Sequence, residues 1–315
     1  LAEAEPARTC ARPTEKRTLA IKTFVPNRDD APFWGDYHFA QGLASAFSRL
    51  GHPARVDAMS EWKGDAASDA LDLVIQGHGD FPAGPERPSL NWLIYPGKHR
   101  DESSLLDHSH VFVSSEVFAQ KLRRRVPGLD LTVLPQAFDP DRMHVSDGHA
   151  DRPLVFVGNR HFKNRHMAGY LAESGALAQI WGRGWEDTSV AHLRVADLIQ
   201  NEQLGQVYAR SLAVLCDHTP IMARNGFLSN RVLDALACAV PVIVDPVAGM
   251  PKRFRPYVHV VENAEQFSQA VAEVEAETQS KKSQRIEFAR GLRATDSFDA
   301  RARVILDKAN TLGLI

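Results

Sequence analysis

Asn225-Gly226-Phe227-Leu228-Ser229-Asn230-Arg231-Val232-Leu233-Asp234-Ala235-Leu236-Ala237-Cys238-Ala239-Val240-Pro241-Val242-Ile243 reads as a glycine loop, a helix entry, a helix and a buried strand. Ser229 or Asn230 can cap the helix. The free amides at that end, with the helix dipole, suit a diphosphate. Arg231, in the first turn, can add a charge-assisted contact. Asp234, about one turn further on, can accept bonds from ribose hydroxyls. Read for packing alone, the same residues make an ordinary capped helix with Asp234 as a first-turn charge. The spacing leaves both readings open.

The pattern repeats outward from this stretch. Upstream, residues 153–157, 177–181 and 212–216 are apolar strands, with a helix over 203–211. Downstream, 257–261 is a strand, 264–278 a helix, and the chain stays helical to about residue 311. The first part of the chain has the same rhythm. Strands are expected over 18–25, 54–57, 71–76, 90–95, 110–114 and 130–134, with helices over 37–50 and from Ser114 or Ser115 to Arg125. Strand alternating with helix marks a parallel sheet covered on both faces, and the strands are continuous apolar runs, as such burial requires. The expected fold class is α/β, with two Rossmann-like doubly wound domains facing a cleft. The expected organisation is a tail or linker over 1–17, a first domain over 18–135, a linker over 136–152, a second domain over 153–290, and a helix over 291–315 returning to the first domain. Ligands of such folds sit outside the carboxyl ends of the strands.

Composition narrows the classes. The 315 residues carry 37 Lys+Arg against 39 Asp+Glu, a net charge of −2, which argues against a binder of nucleic-acid backbones. A hydrophobic share of 44% argues against disorder. Cys10, Cys216 and Cys238 fit neither a disulfide scaffold nor a zinc pattern, and no apolar run reaches the roughly 18–20 residues of a membrane span. The start at Leu1, with a polar, Pro-containing opening, reads as a module of a larger multidomain protein. Lys121 to Arg125 (KLRRR) is either favourable charge at a helix C-terminus or a peripheral contact with anionic membrane. Asp139-Pro140-Asp141 has the form of an acidic metal motif but lies in the linker, and no His pair has helical metal-site spacing. No metal site is therefore expected.

Further polar residues stand at strand ends. Gly77-His78-Gly79-Asp80 closes the strand over 71–76. His78 can act as a base, with Asp80 as an alternative base and Asp36, in the first loop, as another candidate. Gly158-Asn159-Arg160-His161-Phe162-Lys163 follows the strand over 153–157. Arg160 and Lys163 there put two cations at a strand end, where they can hold an anionic group or form a solvated basic helix start.

The Asn225–Ile243 stretch resembles the nucleotide-sugar motif of GT-B glycosyltransferases, in particular family-4-like and CgeB-like members. Leu134-Pro135-Gln136-Ala137-Phe138, Leu154-Val155-Phe156-Val157-Gly158-Asn159 and Ile180-Trp181-Gly182-Arg183-Gly184-Trp185 resemble further blocks of that family in the same order. The resemblance spans roughly residues 18–290. It implies transfer of a sugar from a nucleotide diphosphate sugar to a glycan, lipid-linked or protein acceptor, in bacterial surface polysaccharide or glycoconjugate synthesis. It implies a cytoplasmic location, at most peripheral to the inner face of the membrane, and a metal-independent reaction with no cofactor beyond the donor. The implied donor-binding set is Gly158, Arg160, Lys163, Asn225, Gly226, Ser229, Asn230, Arg231 and Asp234; the implied catalytic set is His78, Asp80 and Asp36. One departure bears on the chemistry. Retaining members carry two acids in a Glu-x7-Glu arrangement, and here Gly226 stands eight residues before Asp234. A catalytically inactive GT-B-like binding module and a sugar-nucleotide epimerase are therefore the alternatives.

Overall fold

The computed structural model describes residues 17–62, 70–77, 79–84, 87–96, 101–146, 151–160 and 165–315. The first six strands are β1 (Thr18–Lys22), β2 (Ala54–Asp57), β3 (Ala70–Gln76), β4 (Ser89–Leu93), β5 (His110–Val113) and β6 (Leu131–Val133). They form one parallel sheet in the order β2-β1-β3-β4-β5-β6. The next six are β7 (Leu154–Val157), β8 (Ala178–Trp181), β9 (Arg194–Ala196), β10 (Val214–Cys216), β11 (Val242–Val244) and β12 (Val258–Val260). These form a second parallel sheet, β12-β11-β10-β7-β8-β9. Strand order reverses between β1 and β3 in the first sheet and between β7 and β10 in the second. Each reversal opens a crevice at the strand carboxyl ends.

Helices α1 (Gly35–Arg49) and α2 (Glu116–Arg125) belong to the first lobe. Among the described residues the second lobe carries α3 (His166–Ser174), α4 (Asn201–Ala209), α5 (Pro220–Asn225), α6 (Asn230–Ala237), α7 (Ala264–Glu275) and α8 (Gln279–Asp296). The chain then breaks at Ser297 and continues as α9 (Phe298–Thr311). Phe298, Ala302, Ile305, Leu306 and Ala309 of α9 enter the first lobe's core beside Phe39, Leu43 and Phe47 of α1. The chain crosses between lobes twice. At the second crossing Arg301 donates to the carbonyls of Pro135 (2.7 Å), Gln136 (3.2 Å) and Thr295 (2.6 Å), which ties the two crossing strands of chain together.

Several features differ from expectation, among them α3 and β9, which have no counterpart among the elements expected from the sequence. The segment before Gly226 is not a loop but the short helix α5, capped by Thr219 and ended by Gly226 in the left-handed conformation (φ 73°). The first sheet is also less apolar than its strands suggest. Lys22 is buried with its ammonium 2.5 Å from Asp57 and 3.4 Å from Asp72. A buried charge is tolerated only when paired in this way.

Candidate active site

A cluster of polar contacts in the second lobe lies at the β7/β10 reversal. Arg231, in the first turn of α6, donates to the carbonyl of Val157 at the end of β7 (3.0 Å) and to that of Asp217 just past β10 (3.4 Å). One guanidinium thus spans the two strand ends at the point where they diverge. Gly158 permits this approach, since a Cβ there would lie 3.0 Å from Nη1 of Arg231. Arg165 lies beside it, bonded to the Asp217 carboxylate (2.5 Å) and to the Asn159 carbonyl (2.7 Å). Both guanidinium carbons are within 6 Å of the Phe156 ring centre, at 5.6 Å for Arg165 and 5.5 Å for Arg231. Burial pushes the Arg165 guanidinium below its usual value, against the pull of Asp217.

Ser229 occupies the N-cap position of α6, but its side chain makes no capping bond to the helix. Its hydroxyl instead accepts from Nε of Arg231 (3.3 Å), and its amide donates to Nε2 of His218 (2.8 Å). Nδ1 of His218 faces Asp245 Oδ1 at 2.6 Å, and Asp245 Oδ2 accepts the His218 amide at 2.9 Å. Asn230 donates to both oxygens of Asp234, at 3.2 and 3.0 Å. Asp234 is buried, and this burial pushes its carboxyl up to about 8, with the charge of Asp139 adding to the shift. Burial therefore favours the protonated carboxyl at neutral pH. Near it, the hydroxyl of Tyr208 and Oδ1 of Asn230 are buried without a hydrogen-bond partner among the described residues.

Asn225 and Gly226 are placed differently from the rest of the implied donor set. Ser115, the N-cap of α2 in the first lobe, donates its hydroxyl to the Asn225 carbonyl at 2.5 Å. Lys121 of α2 bonds Asn225 Oδ1 at 2.7 Å, and a Cβ on Gly226 would lie 2.8 Å from the Ser115 hydroxyl. Phe227 is fully buried in the first lobe's cluster with Leu93, Val113, Phe118 and Leu122. These three residues therefore form the contact between lobes that leads into α6. Lys121 is committed to that contact, and Arg125 pairs with Glu102 at 2.6 Å, so two cations of the basic stretch are engaged within the protein.

Asp36 lies in the first turn of α1, and its carboxylate would meet a Cβ on Gly77 at 2.6 Å. The absence of a side chain at Gly77 thus brings Asp36 to the carboxyl end of β3. Asp80 is exposed in the loop after β3, whose turn is held by Gln76 donating to the Gly79 carbonyl at 2.8 Å. His78 and Lys163 lie outside the described residues. Arg160 is held at its backbone, where its amide donates to the Arg183 carbonyl at 2.9 Å. Among the described residues no group of three or more His, Cys, Asp or Glu side chains is arranged to hold a metal ion. No helix among them is long and apolar enough to cross a membrane.

Sequence reasoning missed Arg165, Asp217, His218 and Asp245. A signal was present: Asp217-His218 and Asp245 are the first polar residues after the buried strands β10 and β11, at the edge where ligands of this architecture bind.

A family model described as glycosyl transferase-like matches residues 160–307. No curated protein matches the chain. Among solved structures, AviGT4, a glycosyltransferase involved in avilamycin A biosynthesis, is similar at 15% identity and a TM-score of 0.66, over 94% of this chain and 98% of its own. HepE from Anabaena, in complex with UDP and glucose, is similar at 11% identity and a TM-score of 0.63, over 94% of this chain and 100% of its own. The T4 phage enzyme BGT, in complex with UDP and Mn2+, is similar at 12% identity and a TM-score of 0.60, over 93% and 99%. The fold is the two-lobed α/β arrangement of GT-B glycosyltransferases.

Proposed function

We propose that the protein is a glycosyltransferase that moves a sugar from a nucleotide diphosphate sugar, held on the second lobe, to a glycan, lipid-linked or protein acceptor at the first. The observation that carries this reading is Arg231, a cation bridging the Val157 and Asp217 carbonyls at the strand reversal, beside the N-terminus of α6. When the bond to the sugar breaks, the leaving diphosphate gains negative charge. A cation fixed beforehand at that point lowers the barrier. Arg165 is placed to add to this field, and Arg160 and Lys163 are assigned to the same role from the sequence. Asp234 and Asn230 are assigned to the ribose, with Asp234 as a protonated carboxyl able to donate as well as accept. The matched family and the nucleotide-bound neighbours support this reading, and the motif favours family-4-like and CgeB-like members among glycosyltransferases.

The acceptor hydroxyl must lose its proton. Asp36 and Asp80, at the first lobe's edge, and His78, from the sequence, are the groups assigned to that task or to holding the transferred sugar. The reading takes the reaction as free of metal and further cofactor, because side chains and the helix end supply the positive field. Titration calorimetry with UDP, GDP, dTDP and CMP tests it, first with chelator and then with Mn2+. Binding of one nucleotide under chelator, lost in Arg231→Ala, is the expected result. No binding to any of them refutes the function, and binding only with Mn2+ refutes metal independence.

One observation favours a second reading, a GT-B-like module that binds without turnover. Gly226, at the position of the first acid of retaining enzymes, is packed against Ser115 and Val117 of the first lobe. Nucleotide binding without sugar transfer or donor hydrolysis would select that reading.

A further inference from the structure

The contact between His218 and Ser229 fixes the protonation pattern of the imidazole by geometry. A backbone amide can only donate, so Nε2 of His218, 2.8 Å from the Ser229 nitrogen, is the acceptor. The ring proton therefore sits on Nδ1 and is donated to Asp245 Oδ1 at 2.6 Å. Asp245 in turn accepts the His218 amide at 2.9 Å. His218 and Asp245 are both buried, so neither has a water shell to replace these bonds. Ser229 precedes α6, and its own amide lies outside the helix's hydrogen-bond ladder. Without His218 that buried amide would have no acceptor. The chain of contacts then runs on, because the Ser229 hydroxyl accepts from Arg231 Nε at 3.3 Å. Three elements are thus joined through one side chain: the end of β10, the end of β11 and the entry of α6.

We infer that His218, oriented by Asp245, is a positioning residue that sets the entry of α6 and, through Ser229, the guanidinium of Arg231 for a nucleoside diphosphate. The ligand part of this inference rests on the function proposed above. The residue is assigned no contact with the donor. Its action is to hold the Ser229 amide and hydroxyl in the one orientation that leaves Arg231 aimed across the strand reversal. Preset geometry of this kind matters most where small displacements weaken charge-assisted bonds.

The two ring nitrogens can be tested separately. Glutamine places an amide oxygen near the position of Nε2, and asparagine places an amide nitrogen near that of Nδ1. His218→Gln keeps the acceptor for Ser229, whereas His218→Asn keeps the contact with Asp245 and loses Ser229. Each variant is measured for UDP, GDP and dTDP affinity, for thermal stability, and for hydrogen exchange of the Ser229 amide. The expected result is nucleotide affinity about tenfold weaker in His218→Asn but within about threefold of wild type in His218→Gln, a difference of about 1.4 kcal/mol per decade. Ser229 exchange should be fast in His218→Asn and protected in His218→Gln. If His218→Asn does not fold, Asp245→Ala frees the ring to turn and takes its place with the same expected losses. Equal affinity in the two His218 variants, or a protected Ser229 amide in His218→Asn, overturns the inference. If the wild type binds no nucleotide, the proposed function fails, and the exchange measurement alone decides whether His218 positions α6.

Discussion

The guanidinium carbon of Arg183 lies 3.7 Å from the centre of the Phe33 ring. Phe33 belongs to the loop between β1 and α1 of the first lobe, and Arg183 to the loop after β8 of the second, so this contact crosses the cleft. Both side chains are exposed, and a cation–π pair at such a site contributes about 0.5–1 kcal/mol. That corresponds to a factor of about 2–5 in any equilibrium between closed and open lobes. Arg183→Ala is expected to enlarge the radius of gyration in solution scattering without nucleotide, with little change in thermal stability. An unchanged radius would show that this pair does not hold the cleft closed.

The stronger tie between lobes is Phe227. It is fully buried among first-lobe residues and meets Phe118 edge-on at 5.2 Å, although it lies in the chain of the second lobe. Truncating a buried phenylalanine costs about 3–5 kcal/mol. Phe227→Ala is expected to lower stability by that order in urea denaturation, and to weaken nucleotide affinity because α6 begins three residues later. A loss of stability with affinity intact would separate this interface from the site.

The architecture was legible because eleven of the twelve strands left a local record, whereas the site depended on pairings that leave none. β9 (Arg194–Ala196) carries only one large apolar residue and none that is fully buried, and six-residue α5 is too short for a periodic pattern, so neither leaves a local signal. A glycine before a helix reads the same whether it cradles a phosphate or ends a preceding helix. Only the packing of Gly226 against Ser115 distinguishes the two. His218 and Asp245 are 27 residues apart, and nothing in either segment announces the other. The position of Arg231 and Asp234 on the first turns of α6 was legible because helix entry, charge and spacing are all local.

Ala239 follows α6 in the left-handed conformation, at φ 54°, the one such non-glycine residue among those described. A Cβ in that conformation costs about 1–2 kcal/mol. Glycine removes this strain but adds freedom to the unfolded chain, which offsets part of the gain. Ala239→Gly is expected to stabilise the protein by about 0.5–1 kcal/mol. Urea denaturation checks it, and an unchanged or lower midpoint would show that the alanine is accommodated without strain.

Asp234 gives stability a predictable dependence on pH. Burial holds its carboxyl at about 8 in the folded protein, whereas an aspartate in the unfolded chain titrates near about 3.9. Between those values the folded protein retains a proton that the unfolded chain has released. The folded pKa is raised, so this contribution is complete below the unfolded value and is lost as pH rises through the folded one. The steepest slope is about 1.4 kcal/mol per pH unit. Asp234→Asn keeps a neutral group of the same shape and removes the titration. The stability of wild type minus that of the variant should therefore fall from pH 5 to about pH 8 and level off by pH 9. Urea denaturation at pH 5, 7 and 9 reads the difference directly, and the other titrating groups cancel because both proteins carry them. A difference independent of pH would mean that Asp234 is ionised in the folded protein across this range, held by a cation rather than by its own proton.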